Sequence, residues 1–222
     1  MAYERFAIYF CPRPETALAR FGEEWFGDSR TSEIACSQIA QPRLYGFHAT
    51  LKAPFRLAPD ARFEDLEAAT MQLAAGLPSV ALDGLVVKRI GSFLALVPIC
   101  ASGELNNLAF ACVRELDQFR APLTRSEISQ RSELGLSPRQ EHLMSEWGYP
   151  YVSDEFRFHM TLTGPLTQPE MNRALAGLKE RVQDFASATV QIDDLCICGD
   201  PGNKKPFRLI KRVGLRSSGV SE

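Results

Sequence analysis

The sequence predicts an α+β fold made of two similar β-α-β-β lobes, related by an approximate two-fold axis. Three observations lead there. The phrase Tyr45-Gly46-Phe47-His48-Ala49-Thr50-Leu51-Lys52-Ala53-Pro54-Phe55 returns as Phe156-Arg157-Phe158-His159-Met160-Thr161-Leu162-Thr163-Gly164-Pro165-Leu166. A second phrase, Val80-Ala81-Leu82-Asp83-Gly84-Leu85-Val86-Val87, returns as Val190-Gln191-Ile192-Asp193-Asp194-Leu195-Cys196-Ile197. The histidines lie 111 positions apart and the second phrases 110 apart. Two unrelated phrases at nearly one offset mark a unit present twice, and two copies are too few for a repeat array. Third, each copy runs strand, helix, strand, strand in its hydrophobic pattern.

Taken in order, Arg5 to Phe10 is aromatic and β-branched and reads as a strand ending before Pro12. Pro14 to Phe26 has helical spacing at Leu18, Phe21 and Phe26 and closes at Gly27. Asp28 to Pro42 is polar and reads as a loop. The first His phrase is a strand. A helix follows with Phe63, Leu66, Thr70 and Leu73 on one face, stopped by Gly76 and Pro78. Val80 to Arg89 and Phe93 to Ile99 read as strands around a Gly91-Ser92 turn. Leu105, Leu108, Cys112, Leu116 and Phe119 form the inner face of a further helix. In the second copy, Thr167-Gln168-Pro169-Glu170 is a capping box opening a helix with Met171, Leu175, Leu178, Val182 and Phe185 inward. Strands over Thr189 to Cys198 and Phe207 to Val213 complete it. The segment Ala121 to Glu155 has no counterpart in the first copy. It holds a second capping box, Ser137-Pro138-Arg139-Gln140, and its place beside the His strand suits it to a lid or a substrate-selecting wall. The expected organisation is a single bilobal domain over residues 1–222: the first copy at about 43–99, the insert at about 121–155 and the second copy at about 156–215.

Composition sets outer bounds. Of 222 residues, 45% are hydrophobic and 23% charged, which supplies a sizeable core. A net charge of −2 gives no global attraction to nucleic acid or anionic lipid, although a local basic groove stays open. No apolar run is long enough for a membrane span, and the first ten residues lack a signal-peptide pattern, so the expected compartment is the cytoplasm. The six cysteines then read as free thiols. Cys196 and Cys198 share a strand face; a buried strand is preferred there to a redox or metal pair.

The chemistry sits in the His-x-Thr pairs. Residues two apart on a strand share a face. An imidazole titrates near neutrality and a hydroxyl donates to a phosphate oxygen. Two such pairs, facing each other, grip a phosphate between an acid and a base. His48 and His159 are the candidate catalytic pair, and Thr50 and Thr161 the candidate phosphate-binding residues. Neither a Gly-rich phosphate loop nor a nucleophile elbow is present. No cofactor or metal is called for, and His142 on the inserted helix has no ligand spacing with the other two histidines.

His48-Ala49-Thr50-Leu51 and His159-Met160-Thr161-Leu162 resemble the His-x-(Thr/Ser)-hydrophobic signature of the two-histidine (2H) phosphoesterase superfamily. The surrounding words, from Tyr45 to Phe55 and from Leu136-Ser137-Pro138 through Trp147-Gly148-Tyr149-Pro150-Tyr151 to His159, resemble an uncharacterised branch encoded in phosphonate-utilisation operons. This likeness covers nearly the whole chain. It implies a bilobal fold with antiparallel sheets facing a central cleft, and metal-independent hydrolysis of a phosphodiester. The substrate it suggests is a small cyclic phosphate such as 5-phosphoribosyl 1,2-cyclic phosphate, opened by His/His acid–base catalysis.

A second phosphate would need cations. Lys52 and Arg157 share the faces of His48 and His159 if the strands stay regular, and both are equally readable as surface charges. Arg43, Tyr45, Tyr149 and Tyr151 stand near the strand entrances as further substrate-binding candidates. The expected partner is a small phosphorylated substrate, not a membrane, with RNA disfavoured by the acidic balance. The rival readings are an enzyme of RNA ends acting on 2′,3′-cyclic or 2′,5′ linkages, a catalytically silent binder of a phosphorylated ligand, and a metal-dependent hydrolase.

Overall fold

A computed structural model of the chain describes residues 3–27, 36–132, 135–183 and 185–217. The fold is α+β with antiparallel sheets. Its first strand, β1 (Arg5–Phe10), is buried along almost its whole length, which a run of aromatic and β-branched residues permits only at the centre of a sheet. Helix α1 (Ala17–Gly27) buries Leu18, Phe21, Trp25 and Phe26, and the indole N–H of Trp25 donates to the Leu162 carbonyl at 2.8 Å.

Where the sequence reads as a loop up to Pro42, the structure has a helix, α2 (Cys36–Tyr45); residues 28–35 of that expected loop lie outside the described residues. Pro42 brings no N–H to the carbonyl four residues back. That carbonyl, on Gln38, accepts instead from the Gly164 N–H at 2.5 Å, so the helix is docked where its own ladder is broken. Gly46, at φ 76°, turns the chain into β2 (Ala49–Phe55).

Helix α3 (Phe63–Gly76) follows, with Leu66, Thr70 and Ala74 buried. The expected strand Val80 to Arg89 is two strands, β3 (Val80–Leu82) and β4 (Leu85–Ile90). The break is at Gly84, whose φ of 139° no side chain favours and whose missing Cβ would lie 2.1 Å from the Ala186 carbonyl oxygen. Strand β5 (Phe93–Pro98) and helix α4 (Gly103–Glu115) follow, and Ser102 caps the helix through the Leu105 N–H at 3.1 Å. Phe119, expected on the α4 face, lies beyond it in a 3₁₀ turn.

The segment between the copies holds α5 (Arg125–Ser132) and α6 (Pro138–Trp147). The capping box of α6 is present as read, with the Gln140 N–H on Ser137 Oγ and the Ser137 N–H on Gln140 Oε1. Strand β6 (Met160–Thr161) is short, α7 (Gln168–Val182) starts at its Thr167 box, and the last expected pair of strands is again split: β7 (Val190–Ile192), β8 (Asp194–Asp200) and β9 (Arg208–Gly214).

Seven strands form one sheet in the order β4-β5-β6-β2-β1-β8-β9, and β3 and β7 form a two-stranded sheet. Equivalent phrases pair with each other: Ala49 opposes Met160 across β2 and β6, and Val80 opposes Ile192 across β3 and β7. One face of the large sheet carries Phe6, Ile8, Ala49, Leu51, Met160 and Ile197 into the main core, with residues of α1, α3, α4 and α7 packed against them. The opposite face is left to the site. No described helix is long and apolar enough to cross a membrane.

Candidate functional site

Antiparallel register explains why the two His-x-Thr pairs meet. Ala49 opposes Met160. Stepping one residue along each strand puts His48 opposite Thr161 and Thr50 opposite His159, all four on one face. Directly opposed residues hold their Cβ atoms about 4.5–5.5 Å apart, and the two histidines, as diagonal neighbours, are separated by about 7–8 Å. That gap is the size of one tetrahedral anion with its hydrogen bonds.

The two imidazoles are held alike. His48 Nδ1 lies 3.0 Å from the Gly46 carbonyl and His159 Nδ1 lies 2.7 Å from the Arg157 carbonyl. A carbonyl only accepts, so each Nδ1 carries a proton, and the His48 ring, neutral near pH 7, presents Nε2 as an acceptor. The Thr50 hydroxyl stands 3.3 Å from His48 Nε2 and donates to it. Below His48 lies Tyr9, buried and stacked on the imidazole at 3.8 Å between centroids. Although the His48 ring keeps part of its surface in the cleft, burial pushes its pKa down to about 4. The Gly46 carbonyl works against that shift, and the nearby His159 charge adds to it. His159 is half-buried, with its ring 6.0 Å from that of Phe93.

His48, Thr50 and Tyr9 border a cavity of about 420 Å³ lined by residues of five elements, among them also Arg5, Tyr45 and Thr161. Phe93, Tyr149 and Thr163 complete its far wall, and Gln41 and Pro42 of α2 cover one side. Of the sequence candidates, Tyr45, Thr50, Thr161, His48 and Tyr149 are therefore brought together, while His159 is outside the lining and touches it through Phe93. Tyr151 is exposed and reaches the cavity only through an edge contact with Tyr149 at 5.6 Å.

The expected cations are not there. Lys52 is 3% exposed, its ammonium on the Val113 carbonyl at 3.0 Å and on Asp117 Oδ1 at 3.2 Å. Burial lowers its pKa, against the pull of Asp117. The cause is a bulge: Tyr9 pairs with Thr50 but Ile8 pairs with Lys52, so an extra residue enters β2 and turns Lys52 toward α4. Arg157 is exposed and outside the cavity lining, contributing its carbonyl rather than its guanidinium. Arg43 lines a separate hollow with Phe47 and Arg212. His142, exposed on α6, sits 3.5 Å from Glu146, a partner one helical turn on.

Sequence reading missed Arg5 and Tyr9. Both lie on β1, two steps of the period-two alternation apart, and their face is set only once β1 is placed between β2 and β8. Arg5 donates from Nε and Nη2 to Asp200 Oδ2 at 2.9 and 2.5 Å, and its guanidinium lies 5.8 Å above the Phe207 ring. Among the described residues, no cluster of three or more His, Cys, Asp or Glu side chains could hold a metal ion.

Known proteins similar to this chain include two curated relatives. The "Ribose 1,5-bisphosphate phosphokinase PhnN" of Janthinobacterium sp. (strain Marseille) is 34% identical over 233 residues, covering 97% of this chain and 51% of that protein. The protein of the same name from Laribacter hongkongensis (strain HLHK9) is 30% identical over 227 residues, covering 97% of this chain and 53% of that protein. The chain thus spans about half the length of these curated relatives. Among solved structures, E. coli LigT in apo form aligns at 13% identity and a TM-score of 0.48 over 97% of this chain and 99% of that one. E. coli LigT complexed with 3′-AMP aligns at 12% identity and a TM-score of 0.47 over 96% and 99%.

The relatives correct the expected activity. A phosphoric diester hydrolase that opens a cyclic phosphate, or an RNA-end variant of one, is not what proteins matching 97% of the chain are named for; their name is that of a phosphokinase. The likeness to an uncharacterised, phosphonate-associated branch does hold, in the relatives' PhnN name and in a family profile of unknown function. That profile, described as "Protein of unknown function (DUF1045)", matches residues 50–208, from the first His-x-Thr pair into the last strand, and the chain belongs to this family.

Proposed function

We propose that the cleft is the phosphorylated-sugar site of a phosphotransfer activity, taking a ribose phosphate of the kind named in the relatives, ribose 1,5-bisphosphate. The observation that carries this reading is the Ala49–Met160 pairing, whose register sets each histidine across from the other copy's threonine. The two copies are then lobes of one bilobal domain, related by a local two-fold axis between Ala49 and Met160. The β3–β7 pairing of equivalent strands supports the same relation.

In this reading the phosphate sits between the His48 and His159 rings, with the Thr161 hydroxyl, and the Thr50 hydroxyl once it turns from His48 Nε2, on its non-bridging oxygens. His48, neutral at pH 7 with Nε2 toward the cleft, accepts a proton from the sugar-phosphate oxygen that attacks, as that oxygen bonds to the donor's terminal phosphorus and the bond from this phosphorus to the donor's leaving oxygen breaks. Tyr149 closes the wall contributed by the segment between the copies. With no Gly-rich phosphate loop in the sequence, the cleft is assigned the sugar phosphate and not the nucleotide.

Calorimetric titration of the purified chain with ribose 1,5-bisphosphate tests this. Saturable binding is expected, weakened about tenfold in a His48→Ala/His159→Ala double variant through loss of the two imidazole hydrogen bonds. With ATP and Mg²⁺ present, phosphorus NMR would follow transfer to the sugar. Equal affinity in the double variant and the wild type would remove the reading.

A further inference from the structure

Beyond the two His-x-Thr pairs, the cavity holds one strong cation. Arg5 is the only arginine or lysine among the described residues lining it, and its side chain is 39% exposed. It shares a face of β1 with Tyr9, on which His48 stacks. The β1–β8 register is regular from Arg5–Asp200 to Tyr9–Cys196, so the two positions are about 13 Å apart along the strand. The side chains lean together from there, the Phe207 ring lying 5.8 Å from the Arg5 guanidinium and 5.9 Å from the Tyr9 ring. This sets the guanidinium beside the imidazoles and not between them, where the second charged group of a small sugar reaches it.

Arg5 is also built to stay in place. Both of its bonds to Asp200 go to a single carboxylate oxygen, while Oδ1 of the same residue accepts the Gly202 N–H at 2.9 Å. Asp200 is 8% exposed, so the carboxylate lies behind the guanidinium and the guanidinium faces the cavity. Phe207 lies under the guanidinium, and Tyr45, itself in the cavity wall, stacks on Phe207 at 5.1 Å. A guanidinium has five N–H donors in a planar fork; two are spent on Asp200, and the Tyr45 hydroxyl is a further hydrogen-bonding partner.

We propose that Arg5, held by Asp200 and the Phe207–Tyr45 stack, is a second anion anchor that selects sugars carrying two phosphates over those carrying one. This rests on the phosphorylated-sugar reading of the cleft and adds to it the residue that recognises the second phosphate. Arg5 is the specificity group and Asp200 its positioning residue.

The test compares ribose 1,5-bisphosphate, ribose 5-phosphate and inorganic phosphate by calorimetry in wild type, Arg5→Gln and the His48→Ala/His159→Ala double variant. Wild type is expected to favour the bisphosphate over the monophosphate by about tenfold or more, the worth of one charge-assisted contact. Arg5→Gln is expected to bring that ratio close to one. If the ratio survives in Arg5→Gln, or if that variant weakens all three ligands equally, Arg5 is not the selecting group. If instead the double histidine variant keeps full affinity while Arg5→Gln loses the preference, the two-histidine reading falls and the Arg5 anchor stands. No binding of any of the three to wild type overturns both. Should Arg5→Gln fail to fold with Asp200 left buried and unpaired, Arg5→Gln/Asp200→Asn removes the stranded charge and carries the same comparison.

Discussion

At the scale of single residues, His48 carries the clearest physical consequence. In the folded chain it takes a proton only near pH 4, against 6.5 for the free side chain. Between those values the unfolded chain binds more protons, so stability contributed by the neutral ring is complete above about pH 6.5 and is lost as pH falls toward 4. The size is on the order of 2 kcal/mol, allowing for the ring's partial exposure. Urea unfolding at pH 7.5 and 4.5 should show the wild type losing this amount more than a His48→Asn variant; parallel losses would remove the effect. Lys52 makes the opposite case, a charge with a structural task. Lys52→Met should destabilise the fold by about 1–3 kcal/mol through the loss of its buried partners, yet leave sugar-phosphate affinity within about twofold. That the two His-x-Thr pairs stand on adjoining strands was legible because a duplicated phrase is visible in sequence. Lys52 was misplaced because period-two reasoning assumes an unbroken strand, and the bulge between Thr50 and Lys52 resets the phase.

At the scale of elements, the strands split where the backbone needs what few residues supply. Gly84 leaves β3 for β4 at φ 139°, close to the Ala186 carbonyl that also accepts the Leu85 N–H at 2.8 Å. Gly84→Ala should therefore cost about 1–3 kcal/mol, read as a lower thermal midpoint, whereas Gly91→Ala, with open space around its Cβ, should cost less. The helices with capping signals, α6 and α7, were legible to within a residue or two, since Ser137 and Thr167 fix their starts chemically. Helix α2 was not. Its apolar periodicity is weak, Pro42 argues against it, and its support comes from Gly164, more than a hundred positions away. Long-range docking of that kind leaves no local pattern.

At the scale of the whole molecule, protection should follow the sheet. Strands β1, β2 and β8 sit in the middle of the order, and β1 and β8 are covered on both faces, while α5 is polar and exposed. Hydrogen exchange should therefore be slowest in β1 and β8 and fastest in α5; comparable rates would contradict the packing. The duplication let the sequence give the strand–helix–strand order, but not that both copies would join in a single seven-stranded sheet, because neighbour choice depends on which equivalents meet at Ala49 and Met160. That meeting has a further result. In the proposed reading the seat has two halves that are copies of each other, and such a seat cannot by itself distinguish a guest from the same guest turned end for end. There the unduplicated lining residues Arg5 and Tyr149 would give it polarity, so the direction in which a molecule enters would be written in the parts that were never repeated.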